Sequence, residues 1–279
     1  MTVKIMSAWT RFIRSPVRKL GLLTLTLAVV LGLLGYRSVE EFLANASTEL
    51  ASIALTVLII DYLNEHRAEQ QLKAQLIREM GSRDNADTLK AIRELEARGW
   101  LRDGSLRKAN LLKANLRGAV LSGANLEGVY LSGADLFGVH LTYANLHTAD
   151  LRKANLRKAI LRKADLSKTA LSASNLTWAN LKGAVLRESN LVGAAGLVYD
   201  QLAQVHQMQW ATMPDGVRYD GRLNLRGDIE VARRQNVNGN DMEAMADFYG
   251  VSLEDYMHGQ EWARENLPKL RAEAGAQSH

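Results

Sequence analysis

From Leu101 to Leu191 every fifth residue is leucine, nineteen in succession. Two residues before each leucine the side chain is small or modest, as at Ala109, Ala114, Ala119 and Ala124; the exceptions are Val129, Val139, Thr169, Ser174 and Ser189. The residue directly before the leucine is most often Asn or Asp, as at Asn110, Asn115, Asn125, Asp135, Asn145, Asp150, Asn155 and Asp165. A period of five is neither the 3.6 of a helix nor the 2.0 of a flat strand, and on a helix each step would turn ~140° and spread the leucines over every face. It requires a repeat architecture. In an extended segment a leucine and the residue two before it point to the same side. If that side is the interior, leucine fills the centre and only small groups fit beside it. Asn, Asp and the two residues after each leucine then face out, and Asn or Asp bonds readily to nearby backbone at a corner. The predicted core is Leu106, Leu111, Leu116, Leu121, Leu126, Leu131, Leu136, Leu141, Leu146, Leu151, Leu156, Leu161, Leu166, Leu171, Leu176, Leu181 and Leu186. The outward slots Val120, Tyr130, Ile160, Ala170 and Val185 are apolar, which predicts that a flanking segment packs on them.

The unit Ala-(Asn/Asp)-Leu-x-x resembles the pentapeptide repeat family over about residues 101–195. The resemblance implies a β-solenoid, a right-handed quadrilateral β-helix with one repeat per side and four per coil. A β-helix whose interior is filled by leucine and alanine has no pocket for catalysis. The junction running from Ile77 through Arg98-Gly99-Trp100 to Leu106 resembles that of membrane-anchored bacterial pentapeptide repeat proteins. The segment Ala211–Tyr219, with its turn at Pro214-Asp215-Gly216, resembles the closing segment of many such chains.

The first nineteen residues carry Lys4, Arg11, Arg14, Arg18 and Lys19 and no acidic residue, and Leu20–Tyr36 is free of charge. A second apolar stretch, 43–63, contains Asn45, Glu49 and Asp61 but has a charge-free centre, Leu50–Ile60. Basic residues precede the first stretch and follow the second. This predicts a transmembrane hairpin (20–36 and 43–63) with both ends, and the repeat rod, on the cytoplasmic side of the cell membrane. A single-pass anchor and cleavage after Ala44-Asn45-Ala46 are the rival readings. Residues 64–98 read as juxtamembrane and capping helices, with Leu72, Leu76, Ile77 and Met80 as the first stripe. Asp84 or Asn85 caps the second helix, whose apolar residues are Leu89, Ile92 and Leu95. Residues 99–195 are the β-helix, and 196–279 a C-terminal cap and helical tail. Within the tail, 199–208 reads as a short helix, 220–240 as loop, and 241–249 and 253–266 as two helices.

Charge divides along these boundaries. Residues 99–199 hold fourteen Lys/Arg against six Asp/Glu, while 200–279 hold eight against thirteen. Seven cations fall between Arg152 and Lys168: Arg152, Lys153, Arg157, Lys158, Arg162, Lys163 and Lys168. Four repeats make a coil, so this run predicts a belt around the rod rather than a patch. Trp178, twenty residues after Lys158, predicts a cation–π stack, and Phe137 and Arg157 share the same spacing. The belt and Trp178 are the candidate partner-binding residues. They fit an acidic protein partner of unknown identity, or alternatively nucleic acid or anionic lipid; a solvated charged surface, or pairing with the acidic tail, is the rival reading. Gyrase-type DNA mimicry, known in the family, needs an acidic surface and is disfavoured; a homodimer is compatible. The chain has no cysteine, its histidines are scattered, and no nucleophile triad, phosphate loop or metal-ligand spacing is present. The reading is a membrane-anchored, non-enzymatic scaffold or interaction module with no catalytic residue, metal or cofactor.

Overall fold

The computed structural model describes residues 40–276 together with Gly21, Leu23, Thr24, Thr26 and Val30. The chain divides into two compact units, Met1–Leu72 and Lys73–His279. The predicted first span, 20–36, and the basic segment 1–19 lie largely or wholly outside the described residues. The second stretch is not a separate span. It is part of α1 (Glu40–Met80), a helix of 41 residues. Among the described residues no helix is long and apolar enough to cross a membrane. This overturns the expected two-span hairpin and, with it, the expected location of the chain as a multi-pass membrane protein with a cytoplasmic rod. The physical reason is length. The charge-free centre Leu50–Ile60 rises only ~16 Å at ~1.5 Å per residue, against a hydrocarbon thickness of ~30 Å. In the first unit Ala54 is buried, and Gly21 lies so close to Leu58 that an added Cβ would stand 3.0 Å from it.

The second unit is built on the leucine repeat. Parallel bridges join residues twenty apart, from Asn110↔Tyr130 to Asn175↔Ala195, so four repeats make one coil. The sides are single bridges rather than extended strands: Leu111 N–H donates to Tyr130 O at 2.8 Å, and Tyr130 N–H to Ala109 O at 3.0 Å. All nineteen leucines are buried, and from Leu111 onward Ala, Val, Thr or Ser fills the slot two residues before each, with Gly99 and Gly104 before the first two. Each fully buried leucine contributes roughly 2 kcal/mol through apolar area removed from water.

The corners explain why the period is five. From Leu106 to Leu191 each leucine carbonyl accepts the N–H three residues on, as in Ala109 N–H to Leu106 O at 3.1 Å. The second residue after each leucine is left-handed, with φ from 54° at Lys163 to 71° at Gly183 between positions 108 and 193. That is a type II turn at every corner. The Asn or Asp before the leucine closes an Asx turn, its Oδ1 accepting the N–H two residues on: Asp135 from Phe137 at 3.2 Å, Asn145 from His147 at 3.0 Å. The apolar outward slots are not covered by a flanking segment as expected. Val120 and Tyr130 are 46% and 48% exposed, and Ile160, Ala170 and Val185 are half-buried.

Both ends of the coil have their backbone edges paired. Ahead of it, α2 (Asn85–Ala97) is capped by Asp84, whose Oδ1 accepts Ala86 N–H at 2.7 Å, and buries Thr88, Ala91, Ile92 and Leu95. Ser82 O accepts Asn115 N–H at 2.9 Å, and Asn85 Nδ2 donates to the carbonyls of Asn115 and Arg117. Beyond residue 195 the expected helix 199–208 is only a single turn, α3 (Tyr199–Leu202). The chain then rejoins the coil two residues out of phase, with bridges Val185↔Gln207 and Asn190↔Thr212. Met208, wholly buried, takes a leucine slot. The chain turns back through an antiparallel bridge, Thr212↔Arg218, around Pro214-Asp215-Gly216. The expected loop 220–240 contains a helix, α4 (Arg226–Arg234), followed by α5 (Met242–Tyr249) and α6 (Leu253–Ala276). α4 escapes sequence reading because the residues it buries are Gly227, Asp228 and Ala232, which make no apolar stripe. Its N-terminus packs on the last coil, with Gly227 N–H donating to His206 O at 2.9 Å.

Candidate interaction surface

The seven belt cations sit at four successive corners, because each lies one or two residues after a leucine. Their surroundings differ. Arg152 is held by Asp150 through Nε at 2.8 Å and Nη2 at 2.6 Å, and this hydrogen bonding keeps the Asp150 carboxyl below its ordinary range. Lys168 lies 3.6 Å from Glu188. Among the described residues no carboxylate lies within ion-pair distance of Lys153, Arg157, Lys158, Arg162 or Lys163.

The aromatic side chains stack where the coil brings neighbours together. Lys158 Nζ stands between two rings, 5.6 Å from Trp178 and 5.8 Å from Phe137. Arg157 lies over Trp178 at 5.6 Å rather than over Phe137, as its spacing had predicted. Phe137 is instead covered from the preceding coil by Arg117 at 4.5 Å, which also reaches Asp135 at 3.1 Å. At the next corner Lys163 lies over Tyr143 at 5.2 Å and donates to its hydroxyl at 3.1 Å. Trp178 remains 65% exposed. Sequence reasoning missed Arg117, Tyr143 and Lys182 as members of this surface. Counting in steps of twenty from Lys163 would have found Tyr143 and Lys182's neighbour Gly183.

These contacts gather on one side of the coil. Its midline is the bridge column Val120, His140, Ile160 and Asn180. Its edges are the corner pairs 117–118, 137–138, 157–158 and 177–178 on the left, and 122–123, 142–143, 162–163 and 182–183 on the right. Those four stretches, 117–123, 137–143, 157–163 and 177–183, contain six Lys/Arg and no Asp or Glu. The other three sides each carry carboxylates: Glu127, Asp150 and Glu188 beside the Asn110 column, Asp135 on the Asn115 column, and Glu127, Asp165 and Glu188 beside the Asn125 column.

Other features do not converge on chemistry. A cleft of about 400 Å³ lies between Leu197–Leu202 and Met213–Arg222. Its Arg222 is taken up by Asp220 at 2.8 Å and by the Tyr199 hydroxyl at 3.0 Å. Among the described residues no group of histidine and carboxylate side chains is placed to hold a metal ion.

Comparison with known proteins agrees with the coil. Residues 101–138, 130–168 and 169–195 match the model of the family described as pentapeptide repeats, in eight copies. HetL, a pentapeptide repeat protein involved in heterocyst differentiation regulation from the cyanobacterium Nostoc sp. strain PCC 7120, is 35% identical over 40% of this chain and 60% of its own, with a TM-score of 0.25. The match thus spans 60% of HetL's length. A second Nostoc PCC 7120 pentapeptide repeat protein, alr5209, is 29% identical over 43% of this chain and 94% of its own, TM-score 0.33. A thylakoid-lumen pentapeptide repeat protein of Arabidopsis thaliana is 28% identical over 35% and 70%, TM-score 0.21. Comparison with curated proteins returns no match. Residues 101–195 are a run of pentapeptide repeats, stacked four to a coil into the β-helix that such repeats imply.

Proposed function

We propose that the repeat rod is a non-enzymatic protein-interaction module that binds an acidic protein through the cations of the 152–168 belt. The observation that carries this reading is a set of five exposed or half-exposed cations, Lys153, Arg157, Lys158, Arg162 and Lys163, without carboxylate partners among the described residues, on a backbone fixed by hydrogen bonds at its corners. Cations projecting from a rigid frame meet carboxylates without the cost of ordering a loop first. The interior is filled by leucine and alanine, so the coil offers a surface rather than a chamber.

Nucleic acid is the second reading. The aromatic rings speak for carboxylates instead. Phe137 and Trp178 already carry Arg117, Arg157 and Lys158 within about 6 Å of their ring centroids, so part of the surface on which a base would stack is taken up by cations. The test uses the full chain with fluorescently labelled poly-glutamate and, separately, a single-stranded oligonucleotide, followed by anisotropy across a salt series. Poly-glutamate is expected to bind, with affinity falling steeply as salt rises. Changing Arg157, Lys158, Arg162 and Lys163 together to Ser is expected to abolish that binding without lowering the melting temperature. Binding of the oligonucleotide alone, or equal binding by the parent and the quadruple variant, would overturn the reading.

A further inference from the structure

We propose that recognition is confined to the one side of the coil centred on Val120, His140 and Ile160, and that its ligand is an acidic protein segment presenting apolar side chains between its carboxylates. This rests on the interaction reading above and narrows it from a belt to a face.

Two observations carry it. The first is charge. The stretches 117–123, 137–143, 157–163 and 177–183 hold six Lys/Arg and no carboxylate, so an anion approaching this side meets no repulsion. On the side of Asn110 the belt's Arg152 and Lys168 are occupied by Asp150 and Glu188. The second is the midline. Every other side has Asn or Asp at two or more bridge positions, whereas this one has Val120, His140 and Ile160 before its first Asn, at 180. Val120 is 46% exposed, and among the described residues no segment covers the column. A midline holding Val120 and Ile160 on either side of His140, edged by cations, fits carboxylates at the rim and apolar groups at the centre, the usual anatomy of a protein interface.

Backbone conformation provides the means of testing it. The second residue after each leucine is left-handed, a conformation that costs a residue with a Cβ roughly 1–2 kcal/mol relative to right-handed backbone. Glycine occupies that slot at 118, 123, 128, 133 and 138. Where the two edges of this side approach the belt, it is occupied instead by Tyr143, Lys158, Lys163 and Trp178, with φ from 54° at Lys163 to 60° at Tyr143. The other sides also carry non-glycine residues in this slot, at Lys108, Lys113, Thr148, Lys153, Lys168, Ala173 and Glu188, so the slot serves as a site for substitution and does not itself distinguish the face.

The same slot supplies the test. Replacing its lysines by glycine suits the local backbone, so the coil is preserved. Lys158→Gly with Lys163→Gly removes two cations from the edges of this side; Lys153→Gly with Lys168→Gly removes two from the corners of the Asn110 side. The net charge change is identical. Two labelled peptides of equal negative charge serve as probes, one alternating Glu with Leu and one alternating Glu with Ser, with the full-length chain at fixed salt. The first pair is expected to weaken the Glu/Leu peptide about ten-fold and the second by less than about two-fold, a ten-fold loss being about 1.4 kcal/mol. The Glu/Leu peptide is expected to bind more tightly than Glu/Ser, and Ile160→Ser to erase that preference while the far-edge variants keep it. Equal weakening by the two lysine pairs, or equal affinity for the two peptides, would overturn the one-sided face and leave the belt standing. If neither peptide binds the parent chain, the interaction reading itself falls.

Discussion

Asp228 of α4 stands in for a missing coil: its Oδ1 accepts the backbone N–H of Met208 at 3.1 Å, where a further repeat would have supplied a carbonyl. The same oxygen accepts Gln209 N–H at 3.0 Å, and the side chain is wholly buried. The coil thus ends on a carboxylate without a cation beside it.

That arrangement sets a pH dependence. Burial pushes the Asp228 carboxyl up to about 7, against the opposing pull of the two backbone N–H groups. A raised folded-state value means that the folded chain holds this proton more tightly than the unfolded chain. The contribution of Asp228 to stability is therefore fully present below the unfolded value near 4 and is lost as pH rises toward 7, a change on the order of a few kcal/mol. Asp228→Asn keeps an acceptor for both N–H groups and removes the titration. Thermal melts at pH 5 and pH 8 should show the Asn variant gaining on the parent at the higher pH. A constant difference between the two proteins at both values would refute the assignment.

Leu136 is buried between coils whose backbones are fixed by ladder bonds above and below. The site cannot collapse inward, so Leu136→Ala should cost ~2–5 kcal/mol by leaving a cavity. Urea unfolding followed by circular dichroism measures this. An unchanged midpoint would mean that the leucine does not occupy the coil centre.

Ser174 and Ser189 occupy inward slots that alanine fills in most repeats, and their hydroxyls are buried without a hydrogen-bond partner. Each pays a desolvation penalty for nothing in return, so Ser174→Ala and Ser189→Ala should each stabilise the chain by about 1 kcal/mol. Thr169 is the contrast. Its hydroxyl donates to Leu146 O at 2.9 Å, and Thr169→Val should destabilise by about 1 kcal/mol. The three variants, compared in one denaturant series, should therefore split in sign.

Gly138 has φ 64° and open space around the position a Cβ would take. Gly138→Ala consequently isolates the backbone cost of the left-handed corner, roughly 1 kcal/mol of destabilisation, from any steric effect. Gly138→Val, with a branched Cβ in the same slot, should cost more. A stabilised Ala variant would show that the corner is not held left-handed in solution.

The coil from 101 to 195 was legible because its instructions are local and repeated. Leucine, a small residue and an Asn or Asp at fixed offsets specify inside, outside and corner within each five residues, and the structure places all nineteen leucines inward. The run of belt cations was equally plain. Which cation meets which ring was not: Lys158 and Trp178 follow from spacing, but Arg117 reaches Phe137 first and leaves Arg157 to Trp178. Nor did the repeat reveal that one side lacks carboxylates, since that property belongs to residues twenty apart.

Beyond 195 the local signal fails for a definite reason. Two extra residues shift the phase, and Met208 replaces leucine, so the continuing coil no longer reads as a repeat. The end cap depends on Asp228, a residue whose sequence context marks it as an ordinary surface acid and whose burial exists only because α4 packs on the last coil. The apolar stretch 43–63 failed in the opposite sense: composition favoured a membrane span, but its backbone is part of a helix that runs on to Met80 through charged residues. Sequence alone determined the repeating coil, because hydrogen bonds and side-chain size within five residues suffice to build each corner. Only the tertiary structure decided where the coil stops and which of its sides is free of negative charge, because both depend on residues brought together from distant turns of the chain.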